Sequence, residues 1–167
     1  MKSLYILRHA KSDWTTKVEG DHERPLNKRG SEAAQLMGSF LTAIDQIPDR
    51  ILSSTATRAL ATAELASSAG NWQRPIEFES LLYGADRSTA LRLIRDSEVE
   101  GQRLLIVGHE PTCSSLISAL VGGCRIRFPT AALGRVDLEI ERWSEIDAGI
   151  GSLLWLVTPK LLRRTMG

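Results

Sequence analysis

Two short runs, Leu4-Tyr5-Ile6-Leu7 and Leu104-Leu105-Ile106-Val107, are wholly or nearly apolar, and each leads at once to a histidine: Arg8-His9 after the first, Gly108-His109 after the second. Such runs are far too short to span a bilayer, which takes ~20 residues, and they lack the polar stripe of a surface helix. They suit strands covered on both faces, in the middle of a parallel sheet flanked by helices. In open sheets of that kind ligands bind outside the carboxyl ends of the strands, where strand order reverses. Two histidines at two such ends therefore constrain the fold and the place of its chemistry together.

Four more runs read as strands: Arg50–Ser53, Pro75–Phe78, Gly134–Ile140 and Ser152–Val157. The Gly134–Ile140 run alternates apolar and polar residues, which predicts one wet face. Asn27 is placed to cap a helix with Ala33, Ala34, Leu36, Met37, Phe40 and Leu41 on one face, ending before Pro48. Further helices are expected from about Thr55 to Ala69, from Arg87 to Asp96, and from Pro111-Thr112 to the Gly122-Gly123 break. Gly149 and Gly151 predict a hairpin connection between the last two strands. Internal repeats and low-complexity tracts are absent from the sequence. The pattern predicts an α/β protein, a three-layer α/β/α sandwich with a mostly parallel sheet of about six strands and an antiparallel edge. Residues 1–167 are expected to form one domain.

Composition narrows the function classes. Lys and Arg number 21 against 20 Asp and Glu, so net charge offers no reason to expect a nucleic-acid or membrane-surface binder. The start lacks a signal-peptide hydrophobic region, and a cytoplasmic protein is expected. Cys113 and Cys124 have neither CxxC spacing nor histidine companions, so reduced thiols are expected, with no disulfide, metal site or cofactor.

A third strand end, Ser53-Ser54, runs into Thr55-Ala56-Thr57-Arg58 and puts Arg58 in the first turn of a helix. Arg8, Arg58, His9, His109 and a helix start could thus converge on one anion; phosphate fits best, because guanidinium forks match its oxygens in pairs. Other phosphate chemistries lack their signatures: no arginine lies six positions after either cysteine, no lysine directly follows a glycine, and no Gly-x-Ser-x-Gly elbow exists.

Leu7-Arg8-His9-Ala10, Arg24-Pro25-Leu26-Asn27-Lys28-Arg29-Gly30, Ser53-Ser54-Thr55-Ala56-Thr57-Arg58-Ala59 and Val107-Gly108-His109, in that order, resemble the histidine phosphatase superfamily, branch 1, the phosphoglycerate mutase-like proteins. The family usually carries glycine where Ala10 stands. With Lys11-Ser12-Asp13-Trp14 following, the chain is most similar to the short SixA-type phosphohistidine phosphatases. The resemblance implies a metal-independent phosphatase in which His9 is the nucleophile and forms a phosphohistidine intermediate. It implies that Arg8, Arg58 and His109 bind the phosphoryl oxygens. Ser12 and Ser54 are candidates for phosphate binding or for turn and cap roles. The acceptor that must fix the His9 tautomer is not identified by the sequence.

The family's ester phosphatases and mutases place an acid after the third strand. Glu77, Glu79 and Asp86 lie nearby, and Glu79 is the candidate; with Tyr83-Gly84 aligned to the mutases, however, Ser80 takes the acid's position. A phosphoramidate relieves that need, since imidazole leaves more readily than an alkoxide. Mutases also insert a cap between the third and fourth strands, whereas about twenty residues here separate Tyr83 from Leu104, room for one helix. An open site is expected, reachable by a side chain of another protein. The expected function is hydrolysis of phosphohistidine on a signalling or phosphotransfer protein. The alternatives are a general or small-molecule phosphomonoesterase on the same site, and a non-catalytic phosphoprotein-binding module. A monomer is expected, with no nucleic acid or membrane partner. Arg24 is expected to fix the start of its helix and border the pocket, His22 to be exposed, Trp14 to meet substrate at the mouth, and the other tryptophans to pack. Lys160-Leu161-Leu162-Arg163-Arg164 is expected to be a solvated tail, the alternative being contact with an acidic partner.

Overall fold

The computed structural model describes residues 1–97 and 100–165. In chain order the elements are β1 (Lys2–Arg8), α1 (Lys28–Ala43), β2 (Arg50–Ser54), α2 (Thr57–Ala69), β3 (Ile76–Glu79), α3 (Arg87–Asp96), β4 (Arg103–Gly108), α4 (Thr112–Leu120), β5 (Leu133–Leu138), β6 (Gly151–Val157) and α5 (Pro159–Thr165). The strands form one six-stranded sheet in the order β3-β2-β4-β1-β5-β6. β1 to β4 run parallel, and β5 is antiparallel to both of its neighbours. The two apolar runs, β1 and β4, lie side by side in the centre.

Alternation along those strands splits the core in two. Leu4, Ile6, Leu104 and Ile106 face the layer made by Ala90 and Ile94 of α3 and Leu116, Ile117 and Leu120 of α4. Tyr5, Leu7, Leu105 and Val107 face Met37 and Leu41 of α1 and Ala59, Ala63 and Ala66 of α2. The layers α1/α2 and α3/α4 lie on opposite faces because the chain steps outward from β1 to β3 and then returns to place β4 beside β1. That return is the switch point of the sheet.

α1 begins as expected, with Asn27 Oδ1 accepting from Gly30 N–H at 2.8 Å. It crosses α2 closely: a Cβ on Gly38 would stand 1.9 Å from the Ala66 carbonyl oxygen.

The antiparallel edge is the β5–β6 pair, with β6 outermost. The link from β5 to β6 joins antiparallel neighbours without a helical crossover, as expected, and includes a 3₁₀ turn, Trp143–Glu145, whose Trp143 is buried in the core. Two expectations need correction. The polar face of β5 is not wet, because Arg135 pairs with Asp137 at 2.7 Å and Asp137 accepts from Ser3 at 2.8 Å. The basic segment after β6 is the helix α5, anchored by buried Leu162 against the α1/α2 layer. Among the described residues no helix is long and apolar enough to cross a membrane.

Candidate active site

β1 and β4 are paired with Arg8 opposite Gly108, so His9 and His109 leave adjacent strands at one level. Their ring centroids lie 5.1 Å apart, close to the ~4.8 Å between neighbouring strands. Both residues are buried. The His9 backbone is held on two sides, its N–H donating to the Gly108 carbonyl at 2.9 Å and its carbonyl accepting from Ala131 N–H at 3.1 Å. On the far side of β4, β2 ends at Ser54, and buried Arg58 follows as the second residue of α2. The Ala10 N–H donates to Thr62 Oγ1 at 2.9 Å and the Thr62 hydroxyl donates to the Arg58 carbonyl at 2.6 Å, tying the loop after β1 to α2. The Ala10 methyl is fully buried against Ala33, Ala34 and Ala131.

The His9 tautomer follows from its hydrogen bond. Nδ1 lies 2.8 Å from the Ala10 carbonyl, which can only accept, so Nδ1 carries the proton and Nε2 keeps its lone pair. Burial, aided by the charges of His109, Arg58 and Arg8, outweighs that bond and lowers the His9 pKa to about 3. The His109 pKa is lowered to about 4, first by burial and then by Arg58. Both rings are neutral at pH 7. His109 Nε2 lies 2.7 Å from Ser54 Oγ, which also accepts from Ala56 N–H at 3.3 Å. In the tautomer in which Nε2 accepts from the Ser54 hydroxyl, the ring proton stands on Nδ1.

Arg8 donates to the Phe128 carbonyl at 2.9 Å. Arg58 donates to the Asp21 carbonyl at 2.7 Å and to Asp21 Oδ2 at 2.9 Å. Among the described residues, three buried nitrogens, Arg8 Nε, Arg58 Nε and His109 Nδ1, have no partner. Buried polar atoms are nearly always satisfied, so a cluster of unsatisfied nitrogens marks a place for an anion's oxygens.

Asp21 was not singled out by sequence. Its carboxylate receives Arg58, Arg24 (2.8 Å) and the Tyr83 hydroxyl (3.0 Å), and Arg24 first among them holds its pKa at about 2. The only sequence signal was the i, i+3 spacing of Asp21 and Arg24. Arg24 does more than fix a helix start: it is buried, reaches Ser12 Oγ, and lies 3.7 Å from the centre of the exposed Trp14 ring. His22 is half-buried rather than exposed, with Nε2 3.0 Å from Thr55 Oγ1 and its ring edge-on to Tyr83. Of the other tryptophans, Trp72 and Trp143 are buried, and half-buried Trp155 packs against Tyr5 and Phe40.

The carboxylates near β3 are engaged away from His9. Glu77 pairs with Arg50, Glu79 Oε1 accepts from Leu81 N–H at 2.9 Å, and Asp86 caps α3 through Thr89 N–H at 2.7 Å. Cys113 and Cys124 form no disulfide. Among the described residues no cluster of three or more His, Cys, Asp or Glu is placed to hold a metal ion. A cleft of about 690 Å³ reaches Arg8 and His9 and is bordered by Ser12, Trp14 and Arg24.

A neutral histidine with an available lone pair, set among cationic and unsatisfied nitrogens at a switch point, suits phosphoryl chemistry, and the chain's relatives define its class as phosphatase. More narrowly, the chain belongs to the histidine phosphatase superfamily (branch 1), whose family model matches residues 4–86. It is 34% identical over 164 residues to an uncharacterized protein of Mycobacterium tuberculosis, covering 92% of this chain and 100% of that one. Among solved structures it is similar to one assigned as the phosphohistidine phosphatase SixA from Agrobacterium tumefaciens, with TM-score 0.79, 29% identity, and coverage of 95% and 98% of the two chains. A protein histidine phosphatase SixA complexed with tungstate shares the fold at TM-score 0.82 and 24% identity, covering 96% of this chain and 99% of that one.

Proposed function

We propose that the protein removes the phosphoryl group from phosphohistidine on a signalling or phosphotransfer protein, through a phosphohistidine intermediate on His9. The observation that carries this reading is that His9 stands neutral, with its Nε2 lone pair available, while the nearby carboxylates are already bound to other groups. Nε2 attacks phosphorus, and the substrate's P–N bond breaks with its electron pair leaving on the departing imidazole, which takes a proton from solvent. Water then attacks phosphorus on His9, breaking the new P–N bond and restoring the neutral ring as phosphate departs. The unsatisfied nitrogens of Arg8, Arg58 and His109 supply hydrogen bonds to the phosphoryl oxygens as charge shifts onto them.

A nitrogen leaving group suits a site whose nearby carboxylates are engaged by other groups. Asp21 is ionised far below neutrality and Glu79 is turned to the Leu81 N–H. Between Glu79 of β3 and Arg103 of β4 the described residues contain one 3₁₀ turn and the ten-residue α3, which supports a single domain with no large cap. The assignment of the Agrobacterium tumefaciens relative supports the same substrate class.

The test is a side-by-side rate comparison of a phosphohistidine protein with p-nitrophenyl phosphate, using wild type and His9→Ala. The expected result is faster release from phosphohistidine, with turnover and an acid-labile phosphoenzyme both absent from the variant. Wild-type rates in His9→Ala would overturn the mechanism, and a preference for the ester would overturn the substrate class.

A further inference from the structure

The cleft beside His9 carries far more positive charge than transfer of one phosphoryl group uses. Besides Arg8 it is lined by Lys11, Arg24, Arg29, Arg127, Lys160 and Arg163, with no Asp or Glu, in a chain whose net charge is only +1. Arg24 is paired with Asp21, which it shares with Arg58; among the described residues the other five are in no ion pair. They come from four segments: the loop after β1, the first turn of α1, the loop before β5, and α5. Gathering like charges without counter-ions costs self-repulsion.

Arg29 adds an independent sign. The first turn of α1 holds Lys28 and Arg29 and no acidic residue, and a helix amino terminus already carries positive partial charge. A cation there works against the helix, and local rules broken in this way tend to mark functional surface.

We propose that this cleft docks an acidic segment of the partner protein that carries the phosphohistidine. The inference rests on the phosphatase reading and adds the chemistry by which the partner is recognised. A second phosphate subsite on a small molecule would need buried, converging donors, as around Arg8. Lys11, Arg29, Arg127, Lys160 and Arg163 are instead exposed and spread over the four segments, which suits several carboxylates distributed along a chain. The exposed Trp14, packed on Arg24 at the border of the cleft, offers a flat apolar contact beside that charge.

The test uses two phosphohistidine peptides, one flanked by glutamates and one by glutamines, with potassium phosphoramidate as a substrate too small to reach the groove. Peptide binding is measured by fluorescence anisotropy and hydrolysis by phosphate release, with wild type and the triple variant Arg29→Gln, Lys160→Gln, Arg163→Gln. Wild type is expected to bind the glutamate peptide about tenfold more tightly, with an advantage that shrinks as salt is raised. The variant should lose that advantage through KM and keep its kcat and its phosphoramidate rate. Equal binding of the two peptides by wild type, or equal losses on peptide and phosphoramidate in the variant, overturns the proposal. So does tighter binding of a single-stranded oligonucleotide of matched charge. Charge-selective binding without phosphate release from any substrate supports docking and overturns the phosphatase reading instead.

Discussion

Asp21 holds both terminal nitrogens of the Arg58 guanidinium, accepting from one through its carbonyl and from the other through Oδ2. Asp21 Oδ1 also fixes Arg24, so one exposed carboxylate orients two buried arginines. Asp21→Ala is expected to lower kcat/KM about tenfold, ~1.4 kcal/mol of transition-state stabilisation, with a smaller loss in Asp21→Asn, which keeps an acceptor. Steady-state kinetics on phosphoramidate check this. A faster Asp21→Ala enzyme would mean that the carboxylate competes with substrate for the arginines.

Acid should weaken the fold through the two site histidines. Their folded pKa values, about 3 for His9 and about 4 for His109, lie below the ordinary 6.5, so below that pH the unfolded chain binds more protons than the native one. Stability is therefore lost as pH falls from 6.5 toward 4, at up to about 1.4 kcal/mol per pH unit for each ring. Urea titrations at pH 7.5, 5.5 and 4.5 should show His9→Gln with a shallower dependence than wild type. Parallel curves would contradict the neutral buried ring.

Glu79→Gln should change the rates on phosphohistidine and on an alkyl phosphate ester by less than about twofold each, since the Glu79 carboxylate serves the Leu81 N–H. A selective loss on the ester would identify Glu79 as a proton donor after rearrangement of that turn.

Gly38→Ala is expected to destabilise the protein by about 2 kcal/mol, because the new methyl meets the Ala66 carbonyl oxygen and must push α1 off α2. Chemical denaturation measures it. A change under 0.5 kcal/mol, the usual range for a surface substitution, would show that the helices can part at little cost.

Most of the frame could be read from residue order because burial writes a period into it. Leu4 to Leu7 and Leu104 to Val107 could only be central, and His9, His109 and Arg58 became conspicuous through their places at strand ends and a helix start. What escaped depends on chain segments meeting in space. Asp21 matters because its loop returns to α2. The partner of His9 Nδ1 is the carbonyl of the very next residue, which no side-chain pattern encodes. Arg135 and Asp137 look solvated from their alternation, yet they are covered by Ser3, Tyr5 and Gln46 from other segments. In α5 a single buried leucine, Leu162, settles the fate of an otherwise basic tail.

The separation of His9 from His109 is copied from the spacing of β1 and β4, held by the hydrogen-bond ladder at the middle of the sheet. The ladder itself sets it. Catalytic competence and the cooperative melting of the whole protein should then be one event: on heating, activity would persist up to the transition and vanish with it. Changes at the rim of the cleft would alter which partner is served without detuning the pair of rings.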